Sequence, residues 1–331
     1  MSDYSFLEGK KILVTGATGL IGKAIISELL LHGGIKPVKV VALVRDEIKA
    51  RRCFADLPVE NLEYLVTDIC DLQAKDMGVD YIIHGANHTA SKSFVEQPVD
   101  VILCAIKGTQ NILNFAKANN VRSAVYLSTM EVYGFPQTED KIYENSPAFL
   151  DSTSVRSSYP ESKRLCENLC AAYCSQYNVP VKIVRLTQTF GEGVSYDDKR
   201  VFAEFARCAI ENKDIVLKTK GETKRNYLYV YDAVKAILTV LEKGEVGHAY
   251  NAANEQTYCS IYEMAQMVAE DICRGGIKVR IESDEAADNG YAPVLKMNLS
   301  AEKLKNLGWT PSADLRTAFE KLIAYMKNNR S

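Results

Sequence analysis

The chain has 331 residues, 47% of them apolar and 25% charged, and its formal net charge is −2. That length exceeds the roughly 100–200 residues of an ordinary domain, so one large or two joined domains are expected around a real core. The balanced charge gives no electrostatic reason to expect nucleic acid or an anionic membrane as a partner, and no apolar run reaches the roughly 18 residues of a membrane span.

The opening MSDYSFLEGKKILVTG has no basic segment followed by an apolar one. No secretory signal is read there, and a cytoplasmic location is expected. Nine cysteines are scattered without a disulfide-like framework. Cys166, Cys170 and Cys174 recur every fourth residue and so share one helical face. As small, commonly buried side chains they are expected to pack against something, and no metal site is expected.

In chain order, KILVT (11–15) is a short apolar strand, a glycine turn follows, and Ile21 to Leu31 is a helix. PVKVVALV (37–44), LEYLVTD (62–68) and YIIHGA (81–86) read as the next three strands. Residues 101–120 form a long helix closed by an Asn pair that tolerates left-handed backbone. SAVYLST (123–129) and VKIVRLT (181–187) are further strands, with a helix from about 160 to 176 between them. Nearly all-apolar strands alternating with helices predict an α/β, doubly wound parallel sheet covered on both faces. Beyond 187 the alternation lapses. A helix at 201–212, the run YLYVYD (227–232), a helix to about 242 and HAYNAAN (248–254) follow. Ser260 and Glu263 form a capping box, 277–281 an edge strand, and Ser300 and Asp314 cap two closing helices.

TGATGLIG places Gly16, Gly19 and Gly22 between the first strand and first helix. One glycine permits the tight turn, one lets the backbone approach a pyrophosphate, and one lets helix and strand pack closely. The helix N-terminus points its free N–H groups at the phosphates, so Thr18, Leu20 and Ile21 join the expected cofactor contacts. After the second strand an acid would hold a ribose 2′-OH and an Arg would accommodate a 2′-phosphate. Arg45 and Asp46 stand there together. Arg45 favours NADP and Asp46 serves NAD if the register moves by one; NAD is the default.

SYPESK supplies Tyr159 and Lys163 one helical turn apart. A phenol titrates near ~10 in water, so a nearby ammonium is expected to make it a usable base. An isolated YxxxK is commonly just the start of a helix. Here it lies downstream of the glycine turn and about thirty residues after a strand that ends in Ser/Thr.

These motifs, in order, resemble the extended short-chain dehydrogenases/reductases, specifically the NAD-dependent nucleotide-sugar epimerase/dehydratase family. TGATGLIG, VTDI, HGAN, IKGTQNIL, LSTMEVYG, SYPESK, RNYLYVYDAVKAIL and LKNLGWTPSADLRTAF carry the resemblance over nearly the whole chain. It implies a Rossmann NAD(P)-binding domain over 1–186 with about 224–253. A smaller substrate-binding lobe would span about 187–223 and 254–331. By the same resemblance Asp68 and Ile69 contact adenine, and Ala86 lies along the cofactor. Thr129, Tyr159 and Lys163 form the catalytic triad, and Tyr159 and Lys163 also contact the cofactor. Arg225 grips the diphosphate of a nucleotide-diphosphate sugar substrate, a task suited to guanidinium. Gln188 stands where the family commonly has Asn, and His88 and Ser91, within NHTASKSF, face the substrate. A homodimer through the 101–118 helix and the helix after YxxxK is implied, with the Cys166/Cys170/Cys174 face packed in the interface.

The implied chemistry is removal of a hydroxyl proton by Tyr159 with hydride transfer to the nicotinamide, giving a transient 4-keto sugar. Similar 4,6-dehydratases have Thr-Asp-Glu where this chain has Thr129, Met130 and Glu131, and similar decarboxylases have Thr-Ser-Glu. Met130 supplies no acid, which is compatible with a 4-epimerase, the leading expectation. A dehydratase or decarboxylase using Glu131, and an NADPH-dependent keto-sugar reductase, are the alternatives. Surface-polysaccharide precursor synthesis is the usual setting of such enzymes.

Overall fold

The computed structural model describes residues 4–32, 36–87, 93–136, 138–282 and 294–330. Seven strands form the central sheet: β1 (Lys11–Thr15), β2 (Lys39–Val44), β3 (Leu62–Val66), β4 (Tyr81–His84), β5 (Ser123–Thr129), β6 (Val181–Leu186) and β7 (Ala249–Ala252). Their order is β7-β6-β5-β4-β1-β2-β3, and every pairing is parallel. The doubly wound sheet expected from the apolar runs is therefore present, with HAYNAAN supplying its seventh strand.

Alternation along the strands divides the core into two layers. Ile12 and Val14 point to one side, with Ile25, Val234 and Ile237. The covering helices on this side are α1 (Leu20–His32) and Val230–Lys243. Leu13, Ile82 and Tyr126 point to the other side, with Ile112, Phe115, Cys166 and Cys170. The covering helices there are α2 (Pro98–Ala118) and α3 (Ser158–Tyr177). The pair Asn119–Asn120 does close α2, with Asn120 at φ +46°.

The cysteine face departs from the expectation of an interface. Cys166 and Cys170 are buried within the protomer, and the Cys166 thiol donates to the Ala105 carbonyl at 3.3 Å. The stripe is the inner face of α3, packed on the sheet and on α2. Ser300 is likewise displaced from its expected cap. The short helix Glu302–Lys305 has Ala301 as its N-cap, and Ser300 only accepts from the Glu302 N–H at 3.3 Å. Asp314 and the Ser260–Glu263 box do cap their helices.

Beyond β6 the chain builds three small sheets. Gln188–Phe190 pairs with Tyr227–Tyr229, Lys224–Arg225 lies between Cys259–Ser260 and Lys296–Met297, and Ile215–Leu217 pairs with Val279–Ile281. The closing segment is tied back through buried Asp232, which accepts from Ser312 N–H, Ser312 Oγ and Ala313 N–H at 2.9, 2.6 and 3.1 Å. No helix among the described residues is long and apolar enough to cross a membrane.

Candidate active site

The strand order reverses between β1 and β4, the crevice where doubly wound sheets bind ligands. Gly16 follows β1 with φ +70°, and a Cβ there would lie 2.8 Å from the Gly85 carbonyl. A Cβ on Gly22 would lie 2.2 Å from the Gly16 oxygen. Both glycines are thus required by the protein's own packing. Gly19 is different: its Cβ would meet only the Gly16 oxygen, at 3.2 Å, and Gly19 and Thr18 are exposed. Its open side leaves room for a pyrophosphate at the N-terminus of α1, where Leu20 and Ile21 begin the helix half-buried. The turn fits a dinucleotide.

This contrast predicts opposite phenotypes. Gly22→Ala should cost about 1–3 kcal/mol or more, since the added methyl meets rigid backbone, and should lower Tm. Gly19→Ala should melt within about 1 kcal/mol of wild type yet bind NAD about tenfold or more weakly in calorimetry. Equal behaviour of the two variants would refute this division.

Behind the turn, Thr15 Oγ1 accepts from the Gly85 and Ala86 N–H groups at 3.2 and 3.0 Å. With those lone pairs used, its proton goes to His84 Nδ1 at 2.8 Å. This assigns the neutral ring with its proton on Nε2, facing Thr109 Oγ1 at 3.3 Å. Burial, then the Lys163 charge, pushes the ring down to about 3 from 6.5. The unfolded chain takes up a proton that the folded ring refuses, so stability falls as pH drops from 6.5 toward 3. Between pH 7 and pH 5 this group should remove about 2 kcal/mol. Denaturant melts at the two pH values check it, and His84→Gln should lose that share of the dependence.

Arg45, just past β2, is exposed, whereas Asp46 caps helix Glu47–Cys53 by accepting from the Lys49 N–H at 2.9 Å. Asp68, past β3, accepts from the Cys70 N–H at 2.8 Å. Ile69 is buried beneath Gly108, so its side chain faces inward. Ala86, past β4, is half-buried.

Thr129 ends β5, and Tyr159 lies in the first turn of α3. The Thr129 hydroxyl lies beside the phenol, whose pKa it lowers, and accepts the Glu131 N–H at 3.3 Å. Tyr159 is only 8% exposed, its ring stacked on Phe94 with centroids 4.2 Å apart and planes 8° from parallel. Lys163 is buried. Its Nζ donates to the Leu127 carbonyl at 2.7 Å and stands 4.6 Å from the Tyr126 ring centroid.

The expectation of an ammonium that lowers the phenol is not met by these residues. Burial, then the Glu131 charge, pushes Tyr159 well above the ordinary phenol range, with the Thr129 hydroxyl and Arg156 opposing. Burial in turn brings Lys163 down to about 8. The Lys163 ammonium donates to a β5 carbonyl, and without bound NAD the phenol keeps its proton.

Glu131 is ion-paired with Arg156, Nη2 to Oε2 3.0 Å. Met130 is 5% exposed and packed in the core. Arg225 is half-buried, and its Nε is buried without a hydrogen-bond partner among the described residues. Tyr227, two residues along on the same strand run, also has a buried unpartnered hydroxyl. Gln188 opens the adjoining strand, half-buried. His88 and Ser91 lie outside the described residues. Phe94, Arg156, His84 and Tyr227 were not singled out in the sequence, although Phe94 closes NHTASKSF, His84 opens HGAN and Tyr227 lies in RNYLYVYDAVKAIL. A cavity of about 330 Å³ beside the Glu167–Arg185 ion pair is separate, since Thr129, Tyr159 and Lys163 do not line it.

Sheet and glycine turn together define a dinucleotide-binding α/β protein of the Rossmann type. The chain belongs to the NAD dependent epimerase/dehydratase family, whose model matches residues 12–253. It is accordingly an enzyme of that class, with NAD as cofactor. Among its relatives, UDP-glucuronic acid decarboxylase 1 of Xenopus tropicalis is 27% identical, over 96% of this chain and 72% of that protein. The dTDP-D-glucose 4,6-dehydratase of Mus musculus is 28% identical, over 97% of this chain and 89% of that protein. The UDP-glucose 4-epimerase of Thermotoga maritima, solved with UDP-glucose, superposes with TM-score 0.80 at 20% identity, covering 97% and 100% of the two chains.

Proposed function

We propose that the chain is a nucleotide-sugar 4-epimerase acting through a transient 4-keto sugar. The supply of proton-transfer groups around Tyr159 carries this reading. The phenol lies beside the Thr129 hydroxyl, whereas Glu131 is held by Arg156 and Met130 is packed in the core. Epimerisation needs one acid–base group; loss of water across C5 and C6 needs a further acid and base. The named relatives, which act on UDP- and dTDP-sugars, support a nucleotide-diphosphate sugar as substrate.

Bound NAD supplies the hydride acceptor and donor. To hold it we assign Gly16, Thr18, Gly19, Leu20, Ile21 and Gly22 at the turn, Asp68 and Ile69 past β3, and Ala86. Exposed Arg45 makes NADP the alternative. Tyr159 takes the C4 hydroxyl proton and returns it after the ketone has turned its other face, while Thr129 orients the hydroxyl. Lys163 holds the end of β5 against α3 through Leu127. Arg225 takes the diphosphate, with Gln188, His88 and Ser91 toward the sugar.

A decarboxylase is the second reading, favoured by the Arg156 guanidinium beside the phenol, a cation suited to a sugar carboxylate. The test is a panel of UDP-, dTDP-, GDP- and CDP-sugars, uronates included, followed by proton NMR. A C4 epimer is the expected product. A pentose with released carbon dioxide, a 4-keto-6-deoxy sugar, or product formed only with consumption of NADPH would each replace the epimerase. Val99 and Leu103 of α2 and Leu165 of α3 are exposed apolar side chains. They support a homodimer through these helices, and a monomer at micromolar concentration in sedimentation would refute it.

A further inference from the structure

Arg156 and Phe94 have no part in the epimerase chemistry above, yet both are built around the phenol. The Phe94 ring lies flat on Tyr159, and the Arg156 guanidinium carbon stands 5.0 Å from the Phe94 centroid. Arg156 Nη2 donates to Glu131, whose N–H donates to Thr129. The contacts run from Tyr159 through Phe94, Arg156 and Glu131 to Thr129, five residues whose last lies beside the phenol again. They come from separate elements: helix Ser93–Glu96, the turn Val155–Ser157, the turn Met130–Tyr133, the end of β5, and α3. Ser158 Oγ, donating to the Phe94 carbonyl at 2.9 Å, fixes the first of these to α3.

We propose that Arg156, clamped between Phe94 and Glu131, is a positioning residue for Tyr159: it sets the plane of the phenol through the stack and holds the Glu131 carboxylate in place beside it. This rests on Tyr159 as the proton-transfer residue. Arg is suited to the task because its planar fork can stack on an aromatic face and bond a carboxylate at its edge, which a Lys ammonium does less well.

The charges facing the phenol are few among the described residues. Glu131 raises its pKa, while the Thr129 hydroxyl and Arg156 lower it. Lys163, on the same helix, is turned to Leu127, and Tyr126 of β5 is a neighbouring buried phenol. Removing Arg156 leaves the Glu131 charge uncompensated and the Phe94 ring without its outer support.

The test uses the full chain with NAD and the nucleotide sugar turned over in the panel, with kcat and KM followed against pH. The reaction needs the phenolate, which the positive charge of oxidised NAD favours, so in the NAD-loaded enzyme activity rises with pH along the acid limb. Arg156→Gln should move that limb up by about one pH unit, and Glu131→Gln should move it down. The double variant should return toward wild type in limb position, and Arg156→Lys should recover part of it. In Arg156→Gln, kcat should fall about tenfold while KM stays within about twofold. A wild-type profile in Arg156→Gln would overturn the clamp, as would a limb moved equally whether or not Glu131 is present. If Tyr159→Phe keeps full turnover, the underlying reading fails instead. Fluorotyrosine-labelled, NAD-loaded protein gives a substrate-free check. The Tyr159 fluorine resonance, assigned by its loss in Tyr159→Phe, should move in Arg156→Gln, and an unmoved resonance would also overturn the proposal.

Discussion

Replacing Tyr159 by Phe should lower kcat by about 10²–10⁴-fold while leaving the fold and the bound NAD intact. The expected loss is that of a general acid–base group whose ring stays in place. The Phe94 stack depends on the ring, not on the hydroxyl, and the lost polar contact is that with the Thr129 hydroxyl. Burial keeps the phenol neutral, so no buried charge is gained or lost with the hydroxyl and Tm should stay near wild type. Turnover by proton NMR and retained NAD by absorbance read the two halves of this expectation. Undiminished turnover would remove Tyr159 from the mechanism.

The parts of this site that are local in sequence were legible there. The apolar period of KILVT, the glycines that follow it and the spacing of SYPESK all lie within single elements. Gly16 and Gly22 are glycines because neighbouring backbone leaves no room for a Cβ, a constraint that a strand–turn–helix pattern already encodes. The end of β5 was likewise placed at Thr129.

What was hidden depends on contacts between distant segments. Arg156 meets Glu131 across 25 residues, and Ser158 meets Phe94 across 64, so periodicity carries no trace of either. Helical spacing correctly put Cys166, Cys170 and Cys174 on one face of α3. It did not say whether that face meets the sheet or a partner, and it is the sheet that buries Cys166 and Cys170. The direction of Lys163 was also hidden. Four residues after Tyr159 it shares the phenol's helical face, yet its Nζ is drawn to a carbonyl that only the packing of α3 on β5 brings near.

Lys163 therefore yields the second large expectation, a loss of activity joined to a gain in stability. Its ammonium is buried, and its pKa falls from 10.5 to about 8. The unfolded chain holds the proton more tightly, so the folded state is penalised in full below pH 8 and relieved as pH rises from about 8 to 10.5. The difference corresponds to about 3 kcal/mol. A Met of similar reach removes the penalty but leaves the Leu127 carbonyl without its Nζ donor, a loss of about 1–3 kcal/mol. Lys163→Met should thus melt at or above wild type near neutral pH and lose the alkaline rise in stability. Its turnover should fall by at least about a hundredfold, since a buried charge retained at such cost marks a functional position. Tm across pH 7–10, set beside turnover of the panel substrate, measures both. A variant that melts well below wild type would show that the Leu127 contact outweighs the buried charge, and undiminished turnover would leave Lys163 a structural part alone.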